Sequence, residues 1–202
     1  MSRSDWVSSP SVGYITIVGN QHLRHDTSRQ VRERDVVYTP DPIAKEIIDR
    51  YGLALEGRQT KVLDPCRGEG AFARQIPDCL WCEVSCGVDF FNWRDPVDWI
   101  VGNPPYSILQ AWLEHSFQLA DHVVYLLPIA KVFGSRKRLL SIANYGGIAE
   151  VYAPWTGRSI GFEFGWACGA VYMRKGYKGP TQFVLTSAAQ SNRETGSPTL
   201  CQ

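Results

Sequence analysis

Apolar positions along this chain switch between two periods, and the switches mark its elements. From Asp41 the pattern is helical: Ile43, Ile47, Ile48 and Tyr51 fall on one face, Pro42 suits the first turn, Asp41 is placed to cap it, and Gly52 ends it. A strand is predicted over 61–64, followed by a glycine-rich loop and a short helix through Phe72 and Ile76. Two more strands are predicted over 80–84 and 97–101. Ile108, Leu109, Trp112, Leu113 and Phe117 form one apolar stripe and predict the next helix. The unbroken apolar run 122–127 reads as a strand buried on both faces, as in a parallel sheet. Ser135 is placed to cap a basic helix carrying Leu139, Leu140, Ile142 and Ala143, and strands at 148–153 and 170–174 close the series. Alternating strands and helices of these lengths predict an α/β doubly wound sheet.

Outside this region the periodicity fades. Residues 1–35 are rich in Ser, Arg and Asp and carry one short apolar run at 14–18, which predicts a flexible arm with a single strand. The folded domain is expected over 36–178. Residues 179–202 turn Ser/Thr/Gln-rich and read as a disordered tail. No internal repeat is visible.

Composition narrows the class. A length of 202 residues with 44% hydrophobic content suits one globular domain with a sizeable core. The longest apolar stretch falls far short of the ~20 residues a bilayer span needs, so a cytoplasmic protein is expected. Cys79, Cys82 and Cys86 have a spacing that could hold a metal, but no fourth ligand stands nearby, and they are expected to be reduced, packed thiols. The net charge of +1 does not advertise nucleic acid. Placement matters more: Lys131 with Arg136, Lys137 and Arg138 forms one local basic group, and Arg174, Lys175 and Lys178 form another.

The strongest chemical signal is Asn103-Pro104-Pro105-Tyr106, directly after the apolar run at 99–101 and a glycine. Two prolines fix two φ angles and remove two N–H donors, so the turn offers carbonyls and the Asn side chain as acceptors. Such a site suits a donor with two N–H groups, an exocyclic amine, while Tyr106 offers a face for a flat ring.

With these residues in view, the chain resembles the S-adenosylmethionine-dependent amino-methyltransferases, whose Asn-Pro-Pro-Tyr-type motif holds the nitrogen being methylated. The segment 62–72, containing Asp64, Pro65, Gly68, Gly70 and Phe72, is similar to that family's strand and glycine loop, and Tyr38, Thr39 and Pro40 to its cofactor-side segment. The resemblance runs over roughly 38–175 and implies a Rossmann-like methyltransferase fold, mostly parallel with a terminal antiparallel strand. It implies S-adenosylmethionine as cofactor: Gly68 and Gly70 approaching the methionine part, Asp64 drawing its ammonium, Thr39 and its neighbours binding its carboxylate. Glu83 would hold the ribose, Asp89 the adenine amine, and Phe90 would pack on the adenine ring. Asn103 would border the cofactor too. No metal is implied, because a sulfonium methyl is already electrophilic.

The activity implied first is methylation of the adenine N6 amine in DNA. Asn103 and the Pro104 carbonyl would accept the amine's hydrogens, Tyr106 would stack on one face of the flipped base, and Phe162, within the aromatic run 161–166, on the other. Lys131, Arg136, Lys137 and Arg138 are the candidate phosphate contacts. Alternatives are the same chemistry on RNA adenine, a protein glutamine N5-methyltransferase, and a non-catalytic subunit with the same fold. No room for a large recognition domain is visible after Tyr106, so a homodimer or a partner subunit is the expected source of target recognition.

Overall fold

The computed structural model describes residues 37–55 and 60–186. The strand expected at 14–18 and the expected tail from 187 onward lie outside the described residues. The helices are α1 (Asp41–Tyr51), α2 (Leu109–Leu119), α3 (Ile129–Phe133) and α4 (Arg136–Tyr145). The strands are β1 (Val62–Asp64), β2 (Leu80–Trp81), β3 (Val97–Gly102), β4 (Ala120–Pro128), β5 (Gly146–Thr156), β6 (Ala167–Lys175) and β7 (Gln182–Val184). They form one seven-stranded sheet in the order β2-β1-β3-β4-β6-β5-β7.

The first four strands pair in parallel, β6 runs antiparallel to both β4 and β5, and β7 lies parallel to β5. This is the mostly parallel α/β sheet expected from the sequence, with its antiparallel strand set inside the sheet. Beyond the expected boundary at 178, β7 adds an edge strand. The chain passes from β1 outward to β2 and then back across β1 to β3, so strand order reverses between β1 and β3. In open α/β sheets that switch point is where ligands gather, beyond the carboxyl ends of the strands.

Two layers of apolar side chains flank the sheet. On one face Ala44, Ile47 and Ile48 of α1 pack with Phe72 and Ile76 against Trp99, Val101, Val124 and Leu126. On the other, Leu109 and Leu113 of α2 and Ile142 of α4 pack with Ile100, Val123, Tyr125 and Leu127. Residues 123–128 of β4 are all buried, as expected for a strand covered on both sides. Ser135 caps α4, its Oγ accepting from Arg138 N. At α1 the cap position falls to Pro40, and Asp41, the expected cap, is the first helical residue, paired with Arg74 at 2.8 Å.

The helix expected through Phe72 and Ile76 forms instead as a run of turns, held by Gly70 N→Arg67 O, Arg74 N→Gly70 O and Gln75 N→Phe72 O. Only six residues separate Gly70 from Pro77, too few to offset the cost of nucleating a helix between two breakers. The strand expected at 80–84 stops at Trp81 because Glu83 turns its carboxylate onto Ser85 N and starts a 3-10 turn, Val84–Cys86. Cys66, Cys79, Cys82, Cys86 and Cys168 are free thiols, and no group of metal-ligating side chains occurs among the described residues. Nor is any described helix long and apolar enough to cross a membrane.

Asp64 ends β1 with its side chain buried. Its Oδ1 accepts from Cys66 N at 3.2 Å, while Oδ2 has no hydrogen-bond partner among the described residues. Burial pushes its carboxyl up to about 7, against the opposing pull of the Cys66 and Ala73 N–H groups. Because the folded value lies above the ordinary one, the ionised form is disfavoured by folding, and stability is lost as pH rises from about 4 through about 7. Asp64→Asn keeps the shape and removes the titration. Urea midpoints measured across that range fall with pH more steeply for the natural chain than for the variant; parallel curves would mean that Asp64 titrates normally.

Candidate active site

A cavity of about 410 Å3 opens at the switch point between β1 and β3. Its floor is the glycine loop. Gly68 sits at φ +50°, and a Cβ there would lie 3.1 Å from the Tyr38 ring, so the backbone and that ring approach as only glycine allows. Gly68 N donates to Glu83 Oε2 at 2.9 Å, while Glu83 Oε1 accepts from Ser85 N at 3.1 Å and Ser85 Oγ at 2.9 Å. Partial burial alone would raise the Glu83 carboxyl, but the bonds from Ser85 and Gly68 and the charge of Arg67 outweigh it and hold it below the usual range. The acid therefore stays ionised at neutral pH and locks the loop to the end of β2.

The second wall is the proline turn. β3 ends at Gly102, where a Cβ would sit 3.1 Å from Asp64 Oδ1 and 3.2 Å from Pro65 Cδ. Beyond it, Asn103 is half-buried with both ends of its amide engaged. Its Nδ2 donates to the Val37 carbonyl at 2.9 Å and its Oδ1 accepts from Tyr106 OH at 2.7 Å. This pair of partners fixes which end of the amide is the acceptor.

Of the residues proposed for a cofactor, Tyr38, Thr39, Pro65, Gly68, Phe72, Glu83, Asp89 and Asn103 line this one cavity. Pro40, Asp64, Gly70 and Phe90 do not. Pro40 instead starts α1, and Asp64 is buried beneath the loop. Gly70, at φ +86°, shapes the turn beside Arg67 and Arg74. Phe90 is 1% exposed and packs on Trp112 at 4.8 Å, whereas its neighbour Phe91 lines the cavity. The shift of one residue has a local cause: Asp89 Oδ1 accepts from Phe91 N at 2.9 Å and turns the chain into a 3-10 helix, Phe90–Asn92, sending Phe90 inward.

The tetrapeptide expected to be catalytic is divided in the same way. Asn103 and Pro105 line the cavity, Pro104 is buried, and Tyr106 is 7% exposed. The Tyr106 ring, expected to offer an open face, instead meets Phe164 edge-on at 6.2 Å. Phe162, expected as the second stacking ring, is 4% exposed and belongs to the core; the ring beside Tyr106 is Phe164, half-buried, with exposed Trp166 next to it at 5.2 Å.

The basic residues separate likewise. Arg136 and Lys137 are exposed on α4, with Lys137 3.5 Å from Glu114. Lys131 places Nζ 6.0 Å from the Trp166 ring centre. Arg138 turns inward and donates to the Lys131 carbonyl, and burial lowers its pKa, so it caps α3 and is not placed for phosphate. Arg174 and Lys175 pair with the amino end of β4, since His122 lies opposite Arg174 while Pro128 lies opposite Cys168. They stand at the far end of the sheet from Asn103, with Lys175 bound to Asp121 at 2.8 Å. Sequence reading missed Val37, Cys66, Phe91 and Trp112 at the cavity. Trp112 carried a signal as part of the α2 stripe; Val37 acts through its backbone and carried none.

No protein-family model matches the chain, and no curated protein matches it by sequence. Solved structures match its fold. A Listeria monocytogenes protein described as a class I S-adenosylmethionine-dependent methyltransferase superposes with a TM-score of 0.56 at 13% identity, covering 83% of this chain and 72% of that one. The methyltransferase subunit of a type I restriction-modification system from Streptococcus thermophilus gives 0.58 at 16% identity, covering 78% of this chain. This chain spans about half of that subunit's length, 52%. The 23S rRNA methyltransferase ErmE gives 0.51 at 15% identity, covering 79% and 76%. With the strand order above, these likenesses show a Rossmann-like fold of the class I methyltransferase kind.

Proposed function

We propose that this chain transfers a methyl group from S-adenosylmethionine to the N6 amine of adenine in DNA. The observation that carries the reading is the oriented Asn103 amide bordering the same cavity as Gly68, so that an acceptor for a planar amine and a cradle for a cofactor share one space. The cavity suits that cofactor in its chemistry. The Gly68 floor lacks a Cβ where a methionine tail would lie. Glu83 is an ionised acceptor at the rim, as ribose hydroxyls require, and Asp89 with the Phe91 ring suits an aminopurine. Thr39 and Tyr38 close the opposite side.

When bound, S-adenosylmethionine supplies a methyl carbon activated by its sulfonium. The protein's part is alignment and charge. Asn103 Oδ1, at the cavity wall, accepts a hydrogen of the target amine, turning its lone pair toward the cavity and stabilising the positive charge that grows on nitrogen. Orientation of this kind supplies as much as about 7–11 kcal/mol in favourable cases. The Val37 carbonyl holds the amide so that its oxygen, never its NH2, meets the incoming donor. Tyr106 OH occupies that oxygen in this state and yields it to the amine. Phe164, edge-on to the buried Tyr106, supplies the aromatic surface against which the base packs. Lys131, Arg136 and Lys137 contact the strand, and a second copy or a partner subunit supplies sequence recognition.

Tritiated cofactor incubated with duplex DNA, single-stranded DNA, tRNA and rRNA, followed by nucleoside analysis, tests the reading. Label in deoxyadenosine N6 supports it; label in adenosine alone would move the substrate to RNA, and label in glutamine would move it to protein. Asn103→Ala is expected to lower turnover about 100- to 1,000-fold with cofactor affinity by calorimetry unchanged; surviving activity would remove the amide from the mechanism. Binding to DNA should weaken linearly in log affinity against log salt, less steeply in Arg136→Gln/Lys137→Gln. A salt-independent affinity would leave both as solvated surface.

A further inference from the structure

One aromatic residue near the site is exposed without structural need. The loop between β5 and β6 is firmly built: Gly157 N donates to Trp166 O at 2.8 Å and closes it, and Ile160 and Phe162 anchor it in the core. A Cβ on Gly157 would strike the Phe164 carbonyl at 2.2 Å, so the loop folds back tightly on itself. Yet this loop holds Trp166 54% exposed. Contiguous apolar patches rimmed by polar groups mark interaction surfaces, and Trp166 is the outer member of a contiguous row of rings with Phe164 and Tyr106.

One cation lies beside its ring, and a second stands next to the adjoining residue of the loop. Lys131 Nζ lies 6.0 Å from the Trp166 ring centre. On the neighbouring side, Arg158 lies over Gly165, 3.7–3.8 Å from where a Cβ on that glycine would stand. Among the described residues neither cation forms an ion pair with a carboxylate. Tyr106, Phe164 and Trp166 thus form a row of rings leading outward from the Asn103 acceptor, buried at its inner end and open at its outer end, with positive charge along the open end.

We propose that Trp166 is a stacking platform for the base next to the target, with the linking phosphates held by Lys131 and Arg158, and that the substrate is therefore an unpaired strand. This rests on the nucleic-acid reading above and deepens it. A base–aromatic stack beside basic side chains is the usual way to hold single strands without reading sequence. An unpaired neighbour can turn its face out to an indole on the protein surface at little cost, whereas a paired one offers that face only inside the helical stack, where the side chain would have to insert and unstack it.

The test uses single-stranded oligonucleotides with one adenine, carrying an abasic position on either side in turn, and the full chain with its cofactor. For the natural protein an abasic neighbour on one side is expected to raise KM about tenfold, about 1.4 kcal/mol, with kcat held. Trp166→Ala should raise KM for the intact strand by a similar factor and show no further loss with the abasic one, the mark of a shared interaction. Trp166→Phe should restore most of the affinity, and Lys131→Gln/Arg158→Gln should flatten the salt dependence. A natural protein that methylates every strand with the same KM would overturn the platform while leaving adenine methylation standing. So would a Trp166→Ala loss that adds in full to the abasic loss, as expected if Trp166 instead faces a protein partner. Absence of label in any nucleic acid would overturn both readings together.

Discussion

The site depends on how closely β3 can end against β1. At Gly102 a side chain would be crowded, its Cβ 3.1 Å from Asp64 Oδ1 and 3.2 Å from Pro65 Cδ. Parallel pairing of β1 with β3 already sets the glycine loop and the proline turn side by side, and the small residue lets them close up. With it, Asn103 and Gly68 border one cavity. The reversal of strand order brings the two loops to the same crevice, and the absence of one Cβ lets them face each other across it.

Burying Asp64 next to that contact has an electrostatic cost, since a carboxylate with one oxygen unpartnered is disfavoured in its ionised form. Glu83 lies at the opposite extreme, ionised and satisfied by Gly68 N and Ser85. Two acids at the ends of neighbouring strands thus take different roles: one acts as a buried part of the floor, the other as a fixed negative rim.

Much of this architecture was legible in the sequence, because strongly periodic segments leave little choice. The apolar run of β4 is strand-length and holds β-branched and aromatic residues, and the stripe of α2 has the helical period. The misreadings share a cause: they turned on contacts between residues distant in the chain, or on turns shorter than a helical period. Phe90 and Phe91 are chemically identical, and only the Asp89 bond to Phe91 N decides which one faces the cavity. Phe162 and Phe164 alternate along one loop, and the tight fold at Gly157 buries the first. Arg138 belongs to a basic cluster by composition, yet the open end of α3 draws it inward. Tyr106 follows the proline pair as its sequence suggests, but its ring is buried in the core and meets Phe164 edge-on, contacts that no local pattern reveals.

The bond from Asn103 Nδ2 to the Val37 carbonyl reaches across 66 positions of sequence to the segment that enters α1. An amide left to itself rotates and presents NH2 as readily as oxygen. Here the stretch before α1 holds the orientation, so the polarity of this part of the cavity wall is decided by a contact distant in the chain as well as by the turn that carries the side chain.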